Sequence, residues 1–585
     1  MHESEQSNGH PKGAAAYEVA STTLFDPSNR PVRVIGIGAG ISGLLMAYKI
    51  QTQCENVSLN IYEKNESVGG TWFENRYPGA ACDVPAHSYV YPWAPNPSWP
   101  RLLASSADIE KYLNDVADMF DLRQYIHVNH QVAGCWWDED KGKWKVKIQV
   151  VEPKKNWSST EPAKVVREFW DEGDLILHAT GILHRWTYPD IPGLEDFKGR
   201  VIHTAGWPDD YQREQWEGQD VAVIGSGATS IQVVPAMQKH VKSMNIFARS
   251  RNWFIEVAGH TGNGREYDES ERDAFRKDPE ALIKHTKDGE RMWNSSFDHA
   301  ILGTEVQKDV MKVGIERMKE RIKDPKILEK LIPSYPVFCR RPLAGDAYME
   351  AIQQPNVELN FESAVRITED GVCGDEGTFA KCDTIICATG FDASWKPTFP
   401  VVGRNGVSLH EKWKDTPEAY FGLACPDMPN WLMFIGPNWP ITSGSVMGSL
   451  DAHGDYAVKC IKKIQNEWLH SFCPKQDATD DYNQHTQTWM KKSVWGGDCP
   501  SWYKNNKTGH VNAVYCGHML HYRDMVSSVR WEDMDIRYTN KHNRFAFMGI
   551  GRPLAHIKKE IDIVSYFSVN RIDKRWRAAK LDGSI

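Results

Sequence analysis

Gly38, Gly40 and Gly43 stand in the spacing GxGxxG within GAGISG, between the β-branched run VRVIGI and an apolar stretch of helical spacing. Glycine at the first position permits a tight turn out of a strand. At the second it lets a pyrophosphate approach the backbone. At the third it lets helix and strand pack closely, with the phosphate at the helix N-terminus. A lone GxGxxG is weak evidence. Here the following strand, VSLNIYE, ends in Glu63, 20 residues past Gly43, where a carboxylate can hold two ribose hydroxyls.

The same pattern returns at DVAVIGSGATSIQVVPAM, residues 220–237. Gly225 and Gly227 flank Ser226 in the first positions, and Ser230, still small enough to pack, takes the third. The next strand, SMNIFARS, ends in Arg249 and Ser250 instead of an acid. An acid would repel a 2′-phosphate, whereas an arginine and a hydroxyl would bind one; the bland alternative is a surface arginine at a strand end. Two dinucleotide sites, one ending in an acid and one in a base, imply FAD and NADPH in one chain, with the protein supplying binding, orientation and electrostatics.

The elements that must position these turns are repeated strand–turn–helix units. DLILHATG (174–181) and DTIICATG (383–390) echo one another as buried-looking strands running into small-residue turns. The expected fold is α/β: two doubly wound, Rossmann-like dinucleotide-binding domains with a mostly helical insertion. The predicted order is a flexible tail (1–30), an FAD domain in two parts (31–190 and 385–585), and an NADPH domain in two parts (191–254 and 336–384). The helical insertion falls at 255–335, where Val306, Val310, Val313, Met318 and Ile322 approximate an apolar stripe. Within the tail, Tyr17 to Leu24 is expected to form a short ordered piece.

Composition narrows the classes. The 585 residues allow roughly three to four domains, and 41% hydrophobic with 25% charged residues excludes a collagenous or largely disordered chain. With 69 Lys+Arg against 77 Asp+Glu the net charge is −8, which argues against nucleic acid or an anionic membrane as partner. No stretch approaches the roughly 18 apolar residues of a membrane span, and the first 30 residues lack the pattern of a secretory signal. The 12 cysteines form no CxxC pair and no zinc-spaced cluster, so buried or incidental thiols in a reducing, cytoplasmic setting are expected, with no metal. The 23 tryptophans are read as mainly core residues.

Two further stretches carry a resemblance. GGTWFENRYPGAACD (69–83) and FKGRVIHTAGWP (197–208) resemble the two fingerprints of type I Baeyer–Villiger monooxygenases, matching at Gly70, Trp72, Tyr77, Pro78, Gly79 and Asp83, and at Phe197, Gly199, His203, Trp207 and Pro208. With the glycine turns, the resemblance spans roughly residues 30 to 570. It implies an FAD-containing, NADPH-consuming enzyme that inserts one oxygen of O2 beside a ketone carbonyl, giving an ester or lactone. By the same resemblance Thr71, Trp72, Asp83 and Tyr89 contact the flavin, and Val132 meets the adenine. Ala228, Thr229 and Gln232 join the second glycine turn in holding the nicotinamide cofactor. His203 and Trp207 belong to a domain linker and take no part in proton transfer.

In FCRRPLAGDAYME (338–350), Arg341 matches the family's catalytic arginine and Arg340 replaces its usual lysine near the 2′-phosphate. The resemblance implies that Arg341, oriented by Asp83, stabilises a flavin peroxide and the oxyanion of its attack on the ketone. Outside that context, two adjacent arginines would be read as a solvated pair. SVWGGDCPSWYKNNKTGHV (493–511) resembles the family's mobile closing loop, with Trp502 facing substrate, and GPNWPITSGS (436–445) resembles a flavin-proximal loop. The chain departs from the pattern at Ala81, where many relatives have arginine, and in the CDVPAHSY that follows. The tryptophans and bulky C-terminal loops are compatible with a large apolar ketone, such as a polyketide or terpenoid intermediate. The alternatives are a sulfur- or nitrogen-oxygenating or hydroxylating enzyme of the same fold, a flavin disulfide reductase, for which a CxxC or CxxxxC is lacking, and a non-catalytic flavin-binding protein.

Overall fold

Val32–Ile37 is apolar at nearly every position because it is covered on both faces. Val32 and Val34 pack with Leu44, Leu45 and Ala47 of the helix Ile41–Gln53, whereas Ile35 and Ile37 pack with Val132, Trp144, Val146 and Ile148 of an antiparallel meander. The period of two along a strand sends alternate residues into two different cores. This strand sits at the centre of a five-stranded parallel sheet, in the order Trp431–Met433, Leu175–His178, Val32–Ile37, Val57–Tyr62, Ile126–His127. The computed structural model describes residues 17–256, 265–442 and 444–581.

The second sheet repeats the plan. Its order is Val357–Asn360, Ser243–Phe247, Asp220–Ile224, Thr384–Cys387, Arg200–His203, again all parallel. Val221 and Val223 face Ile231, Val234 and Met237 of the helix Ala228–Gln238, while Ala222 and Ile224 face a small three-stranded meander through Ile367, Val372 and Ala380. Two parallel, Rossmann-like sheets are thus present, as the repeated glycine turns imply. Thr384–Cys387 pairs with strands of the second sheet on both sides, so the chain leaves that sheet after Cys387 and not at 385.

The echo of ATG has a structural reason. A Cβ on Gly38 (φ 101°) would lie 2.7 Å from the Ala179 carbonyl oxygen, and one on Gly225 (φ 118°) would lie 2.4 Å from that of Ala388. Each glycine turn is therefore closed by the small-residue turn that ends the neighbouring strand, and neither φ nor space admits a side chain.

The insertion is helical, with Glu269–Lys277, Pro279–Asn294, Glu305–Arg321 and Pro325–Leu331; residues 257–264 at its start lie outside the described residues. The expected stripe is corrected in part. Met318 and Ile322 are buried, but Val306 and Val313 are exposed, and Gly314 and Arg317 face inward instead. Arg317 turns in because Asp346 accepts two hydrogen bonds from its Nη2, both at 2.7 Å. Gly314 turns in because the Trp253 ring lies 3.2 Å from where its Cβ would be.

Two more expectations need correction. Of the N-terminal tail, residues 1–16 lie outside the described residues, but Leu24 bridges to Pro553 and Pro27–Asn29 forms a 3₁₀ turn capped by Asp26, so this part is ordered by the far end of the chain. The cysteines are not all incidental: Cys339 and Cys499, 160 residues apart, form a disulfide. Trp99, Trp144, Trp207, Trp413, Trp431, Trp439 and Trp495 are fully buried, in keeping with a packing role. Among the described residues, no helix is long and apolar enough to cross a membrane.

Candidate active site

Both glycine turns deliver a helix whose N-terminus is uncapped. The N-cap residues are Gly40 and Gly227, and neither supplies a side-chain hydrogen bond to the first helical amides. Those orphan N–H groups and the helix dipole suit a pyrophosphate. Gly43 packs so tightly that a Cβ would stand 2.1 Å from the Gly38 carbonyl oxygen. Ser230, at the third position of the second turn, is fully buried, so a hydroxymethyl is accommodated there. Gly40 faces Gly70, whose Cα lies 3.5 Å from where a Gly40 Cβ would be, and Gly227 opens onto free space. These two backbones present cradles that fit dinucleotide phosphates.

Glu63 is buried at the end of its strand, and its carboxylate accepts from the backbone N–H of Ala39 (2.7 Å) and of Asn65 (2.9 Å). Burial raises its pKa, and these two amides hold it back. The Glu63 carbonyl accepts from His130 N at 2.8 Å, which brings the strand carrying Val132 to the Glu63 end of the first cradle. Trp72 donates from Nε1 to the Tyr89 hydroxyl at 3.2 Å, with the rings edge to face. Thr71 lies exposed at the start of the short helix Thr71–Glu74.

At the second cradle, Ser226 Oγ donates to the Ser250 carbonyl at 2.7 Å, tying the turn to the strand end. Arg249 is exposed and, among the described residues, makes no ion pair. Among the described residues Arg340 has no carboxylate partner either. It lies over the Tyr335 ring and donates from Nε to the Pro500 carbonyl at 2.5 Å.

Arg341 and Asp83 meet as an arginine–carboxylate fork. Nε donates to Oδ2 at 2.6 Å and Nη2 to Oδ1 at 2.7 Å. Burial alone would push the Asp83 carboxyl up, but the adjacent guanidinium outweighs it and holds the pKa below the ordinary value; Asp83 in turn raises that of Arg341. Each partner thus favours the charged form of the other. Asp83 also borders a cavity of about 870 Å³ that is lined by Trp72, Arg76, Arg101, Ala228, Gln232 and Leu343, between the first fingerprint and the helix Ala228–Gln238.

Other site residues serve the junction between the domains. Gln232 accepts from the Tyr77 hydroxyl (2.6 Å) and donates to the Ala81 carbonyl (2.9 Å), so it clamps the first fingerprint to the second domain. Thr229 accepts from Thr204 at 3.3 Å. His203 is fully buried, stacks on Trp186 with ring centroids 4.6 Å apart, and accepts from Ala205 N through Nδ1. Burial lowers its pKa to about 4, so it is neutral near pH 7. Trp207 is fully buried and donates to the Tyr211 carbonyl at 2.8 Å. Both are built into the wall of the second sheet.

Sequence reasoning missed one residue. Trp502 projects to the surface, and its neighbour Tyr503 is the buried one. Burial pushes the Tyr503 phenol up to about 12, although Arg341 pulls the other way and Asp83 lies near. In a loop without periodicity nothing local distinguishes two adjacent aromatics, so only the packing tells which one turns inward.

A family profile described as an NAD(P)-binding Rossmann-like domain matches residues 37–105. The chain is 48% identical over 572 residues to the FAD-binding monooxygenase moxY of Dothistroma septosporum, covering 97% of this chain and 90% of that protein. It is 46% identical to the FAD-binding monooxygenase stcW of Emericella nidulans, covering 95% and 91%. To a Baeyer–Villiger monooxygenase of Streptomyces coelicolor it is 32% identical, covering 84% and 90%. In fold it is similar to cyclohexanone monooxygenase from Rhodococcus sp. Phi1 bound to NADP+, with a TM-score of 0.73 at 23% identity over 87% of this chain and 100% of that one. Its relatives at 32% to 48% identity, aligned over at least 84% of its length, place the chain in the family of FAD-binding Baeyer–Villiger monooxygenases.

Proposed function

We propose that the enzyme consumes NADPH and O2 to insert one oxygen atom beside the carbonyl of a large apolar ketone, releasing an ester or lactone. The observation that carries this reading is the Arg341–Asp83 fork, a permanent cation fixed in direction at the junction of the two dinucleotide domains. Bound FAD, reduced by NADPH, supplies the activation of O2. The first cradle, Glu63 and the Trp72–Tyr89 pair would hold FAD, and the second cradle with Arg249 and Arg340 would hold NADPH.

Every other contribution belongs to the side chains. Addition to a ketone places negative charge on the carbonyl oxygen. A preorganised guanidinium stabilises that charge without reorganising when the reaction occurs. Asp83 keeps the guanidinium from swinging away, and arginine tolerates this because it does not lose its proton. Gln232 and Tyr77 hold the two domains together beside the cavity and so help exclude water.

The test is anaerobic reduction with NADPH followed by isotopically labelled O2 and a ketone panel graded by size, with mass spectrometry of the products. The expected product is an ester carrying one labelled oxygen, favoured with bulky apolar ketones. Label found only in sulfoxide, N-oxide or alcohol would overturn the assignment.

A further inference from the structure

Cys339 lies two residues before Arg341, and its disulfide partner, Cys499, lies four residues before Tyr503. Two hydrogen bonds run across the same seam. Arg340 Nε donates to the Pro500 carbonyl at 2.5 Å, and Trp495 Nε1 donates to the Phe338 carbonyl at 3.0 Å. Phe338 itself has φ 70°. A bulky residue is strained in the left-handed region, so the surrounding contacts must hold this turn in place. The disulfide thus fastens the irregular segment 499–503 to a strained turn that leads directly into Arg340 and Arg341. Cys339 is fully buried and Cys499 is buried as well, at 6% exposure, although its chain neighbours Asp498 and Pro500 are exposed.

We propose that Cys339 and Cys499 are a peroxide-responsive pair whose oxidation restrains the enzyme's own NADPH consumption. This rests on the proposed monooxygenase reading, because a flavin oxygenase that loses coupling releases hydrogen peroxide from NADPH and O2. The Cys499 thiolate attacks one peroxide oxygen. An S–O bond forms, the O–O bond breaks, and hydroxide leaves and is protonated to water. The Cys339 thiolate then attacks that sulfur, the S–S bond forms, the S–O bond breaks, and a second water leaves. The two sulfurs give up two electrons, and one H2O2 becomes two H2O.

In the closed form Arg340 is committed to the Pro500 carbonyl. A guanidinium so committed must give up a charge-assisted hydrogen bond before it can serve a cofactor phosphate. In the dithiol form the turn at Phe338 is free to relax and release Arg340. A reducing compartment would keep the pair open, and accumulated peroxide would close it.

The experiment uses FAD-loaded full-length enzyme. It is reduced with dithiothreitol, freed of reductant, and titrated with H2O2. Thiols are counted after denaturation in a thiol-reactive dye, and digests are mapped without reduction. The expected count falls from 12 to 10 with a single linked peptide joining Cys339 and Cys499. The apparent KM for NADPH, followed as NADPH oxidation without ketone, should rise about tenfold, the scale of one hydrogen bond to a charged group. Dithiothreitol should reverse it. The Cys499→Ser enzyme should match reduced wild type and ignore peroxide; because the thiol count and peptide map use wild type alone, a poorly folding variant does not obscure the result. Twelve titratable thiols after peroxide, a different cysteine pair, or bond formation with no change in KM would each overturn the proposal. Because no ketone is needed, a negative ketone panel would count against the proposed reaction and leave this test intact.

Discussion

Arg341 grips both carboxylate oxygens of Asp83 although 258 residues separate the two in the chain. The fork joins the segment after the helical insertion to the end of the first fingerprint, so it exists only when both dinucleotide domains are in place. Arg341→Ala should keep FAD, because the first glycine turn and Glu63 do not depend on it. Ester formation should fall about a hundred- to a thousand-fold, the cost of one preorganised stabiliser of an oxyanion. NADPH that is still consumed should appear as hydrogen peroxide, measured by a coupled peroxidase assay beside product analysis. Arg341→Lys keeps the charge and loses the fork, so it should recover only part of the rate.

The exposed Arg249 makes no ion pair among the described residues. Arg249→Ala should raise the apparent KM for NADPH and leave kcat and the use of NADH nearly unchanged, as loss of a uniform binding contact does. Stopped-flow reduction at matched, low NADPH and NADH concentrations is the check. Equal preference for the two cofactors in wild type would refute the phosphate assignment.

Gly79 has φ 82°, and a Cβ there would stand 2.5 Å from the Gln232 carbonyl oxygen. Gly79→Ala should therefore push the first fingerprint off the helix Ala228–Gln238 and weaken the Gln232 clamp. The expected loss is about 1–3 kcal/mol, typical of a strained backbone position. Differential scanning calorimetry of the holoenzyme should show a lower Tm, together with more uncoupled peroxide.

His203 sets a pH dependence whose sign follows from its burial. Its folded-state pKa is about 4, against 6.5 for an ordinary histidine. As pH falls below 6.5 the unfolded chain takes up a proton that the folded chain refuses until about 4. Stability from this group is complete above pH 6.5 and drains away between 6.5 and 4, by roughly 3 kcal/mol in all. Buried His178 and His453, with pKa values lowered to about 3, act in the same direction. Urea unfolding at pH 7 and pH 5 should show the loss, and His203→Asn should flatten the slope. The same variant should leave the shape of the pH–rate profile near neutrality unchanged, because a neutral, stacked imidazole does not shuttle protons.

Adjacent residues alone account for the local devices. The glycine turns were legible because a strand, a positive φ and a helix start within a few residues of one another impose glycine at Gly38 and Gly225. The acid at Glu63 and the base at Arg249 were legible because each ends the strand that follows its turn. The helical insertion was legible as an element, but its inward face was not. Arg317 belongs inside only because Asp346 waits there, a partner that periodicity cannot show. Thr384–Cys387 reads like a strand of either sheet, and its neighbours alone assign it. Tertiary structure likewise decided that Gln232 clamps the first fingerprint, that Tyr503 and not Trp502 turns inward, and that Cys339 finds Cys499. The reason is common to all of these: backbone conformation is dictated by adjacent residues, whereas a side chain's partner is whatever distant segment the closed fold brings within a few ångströms.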